Sequence, residues 1–299
     1  MNKPDTKSYD LLFAGNLTRD TVITPQGTTV RDGGAVIYGV HAAARLGART
    51  AVVARLGKDD SRADNEFLGE GIDFYPVQAE HSTLLTLHYP TGDPDTRTLS
   101  VTATAGRLGP ADIAGLEARG IVISGTMREE AGLDFFQAAR RLAAEFLAVD
   151  VQGFVREVRG TSLVHTPWQE MTAVLALVNI LKSDKVEAEF LTGETDLGKA
   201  ARAFTDLGPR EILLTHSDGL LVFAGGREDF FPFYSKSQVG RSGRGDTCLG
   251  AYAAMRLTLP PHEAGKWAAA AASLKVERPV PLDRTCDELT EFIQKHYGC

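Results

Sequence analysis

Cysteine is scarce in this chain. Three occur in 299 residues, Cys248, Cys286 and Cys299, with no Cys-x-x-Cys pair and no metal-ligand spacing. An odd count so placed argues against a disulfide framework and for a reducing compartment. No run of 18 apolar residues occurs, so no membrane span is expected. Met1 to Ser8 is polar and lacks the apolar stretch of a secretory leader, which makes a cytoplasmic protein the expectation. Positive charge is also in deficit, with 32 Lys and Arg against 39 Asp and Glu and a net charge of −7. That balance argues against binding nucleic acid or an anionic membrane. An anionic ligand would need cations placed locally. The seven histidines are scattered, and no metal site is read from them.

What is present suits one large α/β domain: 43% hydrophobic residues, enough for a core, and an ordinary 24% charged. Asp10 to Gly15 reads as a buried strand. Thr18 to Thr24 and Thr28 to Val30, flanking Pro25-Gln26-Gly27, read as a hairpin. Gly33-Gly34 opens a helix through Leu46, and Ala51 to Gly57 is the next strand. A helix is expected over Ser61 to Gly69 and a strand near Phe74 to Val77. The Thr-rich runs 82–89 and 97–104 flank Thr91-Gly92-Asp93-Pro94-Asp95 and predict a second hairpin. The two hairpin regions, 16–32 and 82–104, are expected to form a small sheet apart from the main body. From Ile121 onward, short strands alternate with helices, the pattern of a parallel, doubly wound sheet whose ligands sit at the strands' carboxyl ends. Strands are expected at 120–124, 144–149, 180–182, 211–215 and 220–223. Helices are expected at 133–142, 170–177, 186–191, 198–207, 247–257 and 263–276.

The most informative stretch is Gly240-Arg241-Ser242-Gly243-Arg244-Gly245-Asp246-Thr247, followed by an apolar-striped run to Leu257. A glycine-rich turn entering a helix aims several unpaired N–H groups at one point, and the helix dipole favours an anion there. It is not a Walker A loop, because no lysine follows Gly245. Nor is it a dinucleotide fingerprint, because the glycine spacing and the position near the C-terminus are wrong. Arg244-Gly245-Asp246 is also the tripeptide of adhesion ligands, a reading the missing leader disfavours. Asp246 either caps this helix or takes a proton from a group attacking the anion.

Five segments in order resemble the ribokinase-like (PfkB) carbohydrate kinase family. The stretch at 240–247 resembles its second signature, Asp-Thr-x-Gly-Ala-Gly-Asp-[Thr/Ser]. Gly33-Gly34-Ala35-Val36-Ile37-Tyr38-Gly39-Val40 resembles the first, Gly-Gly-x-x-x-Asn-x-Ala. Gly15-Asn16-Leu17-Thr18-Arg19-Asp20 resembles the family's opening Gly-x-x-x-x-Asp. Asp184-Lys185-Val186-Glu187 resembles its Asn-x-x-Glu, and Thr215-His216-Ser217-Asp218-Gly219 a shortened Thr-x-Gly-x-x-Gly. Departures are Gly240 and Arg241 for the opening Asp-Thr, Arg244 for alanine, Tyr38 for a sugar-contacting asparagine, and Asp184 for asparagine.

The resemblance implies a three-layer α/β/α sandwich with a mostly parallel sheet and a small β-sheet lid. It implies transfer of the γ-phosphate of ATP, with Mg²⁺, to a hydroxyl of a sugar or polyol. Asp246 would be the base, and Gly243, Arg244 and Gly245 the anion hole, with Arg244 either clamping phosphate or facing solvent. Asp20, Asn16, Gly33, Gly34 and Tyr38 would contact substrate. Asp150 and Gln152 join them, because Asp150-Val151-Gln152-Gly153-Phe154 resembles a run in inositol-kinase-like members. Thr215, Ser217 and Gly219 would line the nucleotide, and Asp184 and Glu187 would hold the metal. Ala268 to Ala272 would either admit an adenine ring or pack tightly against the sheet. Arg128 is a further candidate for the cleft. A nucleoside kinase of the same family is the alternative, since Tyr38 could stack on a base; a silent ligand-binding member is a third. A homodimer through the small sheet's edges is as compatible with the sequence as a monomer.

Overall fold

The computed structural model describes residues 7–60, 71–91, 96–237, 239–240 and 242–298. The helix expected over 61–69, the hairpin tip at 92–95 and Arg241 lie outside the described residues. In chain order, β1 (Lys7–Ala14) is followed by a hairpin of β2 (Thr18–Thr24) and β3 (Gly27–Gly33), then by α1 (Ala35–Arg45). Next come β4 (Thr50–Gly57), β5 (Asp73–Ala79), β6 (Thr83–His88) and β7 (Thr98–Ala103). The alternating half begins with β8 (Leu116–Ser124), α2 (Leu133–Leu142) and β9 (Ala143–Asp150), followed by a short hairpin of β10 (Arg156–Arg159) and β11 (Ser162–His165). It continues through α3 (Met171–Leu175), β12 (Ile180–Asp184), α4 (Lys185–Thr192), α5 (Leu197–Thr205) and β13 (Glu211–Thr215). The chain then runs through β14 (Gly219–Ala224), β15 (Arg227–Pro232), α6 (Arg244–Arg256), α7 (Pro261–Lys275) and α8 (Cys286–His296).

The main sheet has nine strands in the order β15-β14-β13-β12-β9-β8-β1-β4-β5. Neighbours from β13 to β5 are parallel; β14 and β15 add antiparallel at one edge. The alternation of side chains along a strand divides the core in two. Leu12 and Ala14 join Phe135, Phe136, Ala200 and Phe204 on one face. Leu11 and Phe13 join Ile37, Val40, Leu249, Tyr252 and Ala268 on the other. Helices therefore cover both faces, the α/β/α sandwich expected from the sequence.

A second sheet of six strands, in the order β10-β11-β7-β6-β2-β3, has its own apolar cluster of Val22, Leu85, Leu87 and Val101, which Met127 of the main body joins. Its two long hairpins meet through a parallel pairing of β2 with β6. The sequence pattern assigns no element to the third hairpin, β10–β11, nor to β15 or α8. The cap of α8 was visible in the sequence: Thr285-x-x-Glu288 forms a reciprocal capping box ahead of an apolar stripe.

Two glycines bring the signature helices together. A Cβ on Gly250 of α6 would run into the backbone of Gly39 on α1, and a Cβ on Gly39 would stand 3.0 Å from Phe13 and 3.4 Å from the carbonyl of Asp246. Close approach of α1 and α6 thus sets where the N-terminus of α6 sits above the sheet.

Candidate active site

Gly243 is the N-cap of α6, in the left-handed region at φ 78°, and no side chain caps this helix. The capping alternative for Asp246 therefore falls, because Asp246 lies three residues inside the cap. The first intrahelical bond is Thr247 N–H to the Gly243 carbonyl at 2.9 Å. The N–H groups before it stand at the positive end of the helix without intrahelical acceptors. Asp246 Oδ1 is shut off from solvent with no hydrogen-bond partner. Burial, then the charge of Asp150, pushes this carboxyl up to about 7, with Lys182 and Arg156 pulling the other way.

Sequence reasoning missed the cation under this turn. Lys182, in the middle of β12, is buried, and its Nζ donates to Asp150 Oδ2 at 2.9 Å. The same Nζ would stand 2.6 Å from a Cβ placed on Gly245, so glycine there lets the ammonium reach the helix start. Burial alone would strip the proton from Lys182. The charges of Asp150, Glu187, Asp246 and Asp184 outweigh it and hold the lysine charged. The available signal was a lone lysine inside the apolar run Ile180-Leu181-Lys182. Asp150 serves as its counterion and accepts from Gln152 N–H through Oδ1 at 3.0 Å, so its carboxylate is already engaged. Gln152 is half-buried in the turn after β9.

Asp184 and Glu187 form a reciprocal capping box on α4. Asp184 Oδ1 accepts from Glu187 N–H at 2.8 Å, and Glu187 Oε2 from Asp184 N–H at 2.9 Å. One oxygen of each is thereby taken. Glu187 Oε1 remains buried without a hydrogen bond, 3.8 Å from Arg156 Nη2. Burial pushes Glu187 up to about 7 although Lys182 opposes it. Among the described residues no group of three or more His, Cys, Asp or Glu stands ready for a metal ion. The orphaned carboxylate oxygen of Glu187 nonetheless suits Mg²⁺ held largely through water. Arg156 comes from β10, a strand that the sequence pattern does not predict.

The β2–β3 hairpin brings Asp20, Gly33 and Gly34 together. Thr18 Oγ1 donates to Asp20 Oδ1 at 2.6 Å, and Thr18 pairs with Gly33 across the hairpin. A Cβ on Gly33 would stand 2.5 Å from Asp20 Oδ2, and Gly34, at φ 112°, lies against the backbone of Asn16 and Leu17. Burial raises Asp20 above the usual carboxylate range, while Thr18, Arg31 and Arg97 counter it. The amide of Asn16 is spent on the scaffold: Nδ2 donates to the Gly106 carbonyl at 2.7 Å and Oδ1 accepts from Arg55 N–H at 3.2 Å. Tyr38 is buried, with its ring where a Cβ of Gly243 would fall. It therefore backs the glycine turn rather than offering a flat face to a ligand.

The third group of candidates lies at the β13–β14 turn, where His216 N–H closes on the Gly219 carbonyl at 2.8 Å. Thr215 is buried, with Oγ1 3.4 Å from the Ser183 carbonyl, and Ser217 Oγ donates to Asp218 at 2.8 Å. Gly219 is buried, and a Cβ there would meet Phe231 O at 2.5 Å, so packing on β15 explains that glycine. Arg244 reaches across to this turn, with Nη2 donating to the His216 carbonyl at 3.2 Å and its guanidinium 5.1 Å from the Phe233 ring centre. Ala268 to Ala272 have no solvent exposure and fill the core, which decides for packing over an adenine site. Arg128 bonds the carbonyls of Phe154 and Thr166 and ties the turns after β9 and β11 together.

The model of the pfkB family carbohydrate kinases matches residues 5–283. A cytidine kinase of Thermococcus kodakarensis is 25% identical over 255 residues, 82% of this chain and 87% of that protein. Among solved structures, a sulfate complex of a pyrophosphate-dependent kinase of the ribokinase family superposes with a TM-score of 0.87 at 30% identity, covering 94% of this chain and 99% of that one. A pyrophosphate-dependent kinase of the same family, bound to a pyrophosphate analogue and myo-inositol, gives 0.85 at 29% identity over 94% and 99%. Ribokinase of Arabidopsis thaliana, with ribose and ATP, shares the fold at a TM-score of 0.77 and 18% identity over 96% and 99%. With the ordered signatures, the two-sheet architecture and a family match across nearly its whole length, the chain belongs to the PfkB carbohydrate kinases and is a phosphotransferase.

Proposed function

We propose that the chain phosphorylates a hydroxyl of a polyol of the myo-inositol kind, with pyrophosphate as the favoured phosphoryl donor. In-line transfer requires acceptor and donor on opposite sides of the transferred group. With the polyol held at Asp20 and Gly33, the donor would lie toward the β12 and β13 ends, where Lys182 and Arg244 stand. There the bond from Arg244 to the His216 carbonyl, with the guanidinium laid on Phe233, carries the reading. Arg244 so held stands against the β13–β14 turn that the signatures assign to a nucleotide, and Ala268 to Ala272, the other nucleotide candidates, are packed in the core. A short inorganic donor would need only cations of the kind that Lys182 and Arg244 supply. Similarity to the pyrophosphate-dependent kinases supports the same choice over the ATP implied by the signatures alone.

Asp246 would take the acceptor proton through Oδ1, a role worth on the order of 10²–10⁴ in rate. The N–H groups of Gly243, Arg244 and Gly245, with Lys182 beneath them, would meet the charge developing on the transferred phosphoryl. Asp20 would orient the polyol by accepting from its hydroxyls. Mg²⁺, at Glu187 and Asp184, would neutralise donor phosphate charge.

The test is turnover with pyrophosphate or ATP against myo-inositol, simple sugars and cytidine, followed by ³¹P NMR. Pyrophosphate with myo-inositol should give the highest kcat/KM. Preference for ATP by more than about tenfold would overturn the donor assignment, and preference for cytidine the acceptor assignment.

A further inference from the structure

Lys275, the last residue of α7, is a buried ammonium whose partners are carbonyl groups. Its Nζ donates to the Gly240 carbonyl at 2.6 Å and to the Ser242 carbonyl, and lies 4.8 Å from the centre of the Tyr38 ring. That ring in turn fills the space beside Gly243. The loop is pinned twice more, by Gly240 N–H to the Val276 carbonyl at 2.8 Å and by Arg31 of β3 to Ser242 Oγ at 3.2 Å. Ammonium, ring and loop thus stack into one unit that ends at the turn into α6. The Ser242 carbonyl belongs to the peptide whose N–H is that of Gly243. A cation on one end of a peptide polarises it and strengthens the donor at the other.

We propose that Lys275 is a positioning residue for phosphoryl transfer, a built-in cation that holds the 240–243 loop and sharpens the Gly243 N–H toward the transferred phosphate. The assignment rests on reading 243–245 as the anion hole. Burial, with Arg31 nearby, brings Lys275 down to about 8, while Asp246 opposes the shift and the Tyr38 ring faces the ammonium. Loss of its proton would therefore relax the loop within an accessible pH range.

Lys275→Met and Lys275→Arg are compared with wild type and Asp246→Asn in the full chain. Each is assayed with the better of the two donors from pH 6 to 9.5, with and without ammonium or methylammonium. Lys275→Met should lower kcat on the order of 10²-fold, with the acceptor KM changed by less than about threefold. It should lack the alkaline limb expected of wild type near pH 8, and small ammonium ions should recover part of its rate. Lys275→Arg should keep activity and move that limb upward. A Lys275→Met protein with wild-type kcat and an unchanged alkaline limb overturns the proposal. If Lys275→Met does not fold, an Arg variant whose limb stays at its wild-type position does so instead. Full activity in Asp246→Asn marks failure of the reading that the transfer takes place at the α6 N-terminus, on which the anion hole depends, whereas loss there with none in Lys275→Met marks failure of the Lys275 role alone.

Discussion

Asp246 shows how one residue's role follows from what its neighbours leave undone. Gly243 occupies the cap, so the carboxylate is excused from that duty, and Oδ1 is left buried and unpartnered. Its carboxyl, pushed up to about 7, must lose its proton before it can act as a base. Activity should therefore rise with pH through about 7, and Asp246→Asn should lose phosphoryl transfer on the order of 10²–10⁴-fold while still binding donor. A pH–rate profile and an equilibrium titration with pyrophosphate check the two halves. Gly243→Ala forces a positive φ on a residue with a Cβ and drives that Cβ into Tyr38. It should cost at least about 10²-fold in kcat, read by the same assay, with the protein still folded by circular dichroism.

Between elements, the decisive contact is the crossing of α1 and α6 at Gly39 and Gly250. Gly250→Ala gains about 1 kcal/mol of helix propensity. The added methyl, however, meets backbone that has no rotamer by which to yield, and such overpacking costs about 1–3 kcal/mol. The clash should win, with a lower Tm and lower activity because Asp246 moves with its helix; calorimetry with a kinetic assay tests both. The sequence was most readable at this scale. Apolar periodicity and glycine punctuation marked the strands of the main sheet from β1 to β14 and both signature helices. It failed where four-residue strands carry no usable period, as in Arg156–Arg159 and Ser162–His165, and that gap hid Arg156. Lys182 was hidden differently, because its partner Asp150 is 32 residues away and only the β9–β12 pairing joins them. At Gly219 the close approach of β15 would by itself require a glycine, and such a residue looks the same in sequence as one required by a ligand.

Across the molecule, charge is sorted by depth. The chain is acidic by seven charges, yet Lys182, Lys275, Arg156, Arg244 and Arg31 all converge on the α6 N-terminus. Deep burial has the opposite effect on Glu130, which ties the body to the strand leading into the small sheet by accepting from Asn16 N–H at 3.1 Å. Burial pushes this carboxyl from 4.5 to about 8, against backbone donors at Asn16, Thr126 and Met127. The folded state thus holds a proton that the unfolded chain releases above about 4.5. Stability from this group is complete below that pH and is lost as pH rises toward 8. Glu130→Gln should flatten the fall in Tm between about pH 5 and 8, measured by thermal melts across that range; an unchanged slope would count against the assignment.

The meeting of Gly39 with Gly250 has a further consequence, for the order in which the chain is made. One face of the main sheet is covered by α1 together with α6 and α7, whose core residues Cys248 to Ala272 come more than 200 positions later. A chain growing from its N-terminus carries Leu11, Phe13 and Val52 for most of its synthesis with the α6 and α7 part of their cover not yet made. Such late closure exposes apolar surface to neighbouring chains. Fragments ending before α6 should therefore require a holding chaperone, and the step that completes the catalytic turn should also be the one that makes the newborn protein soluble.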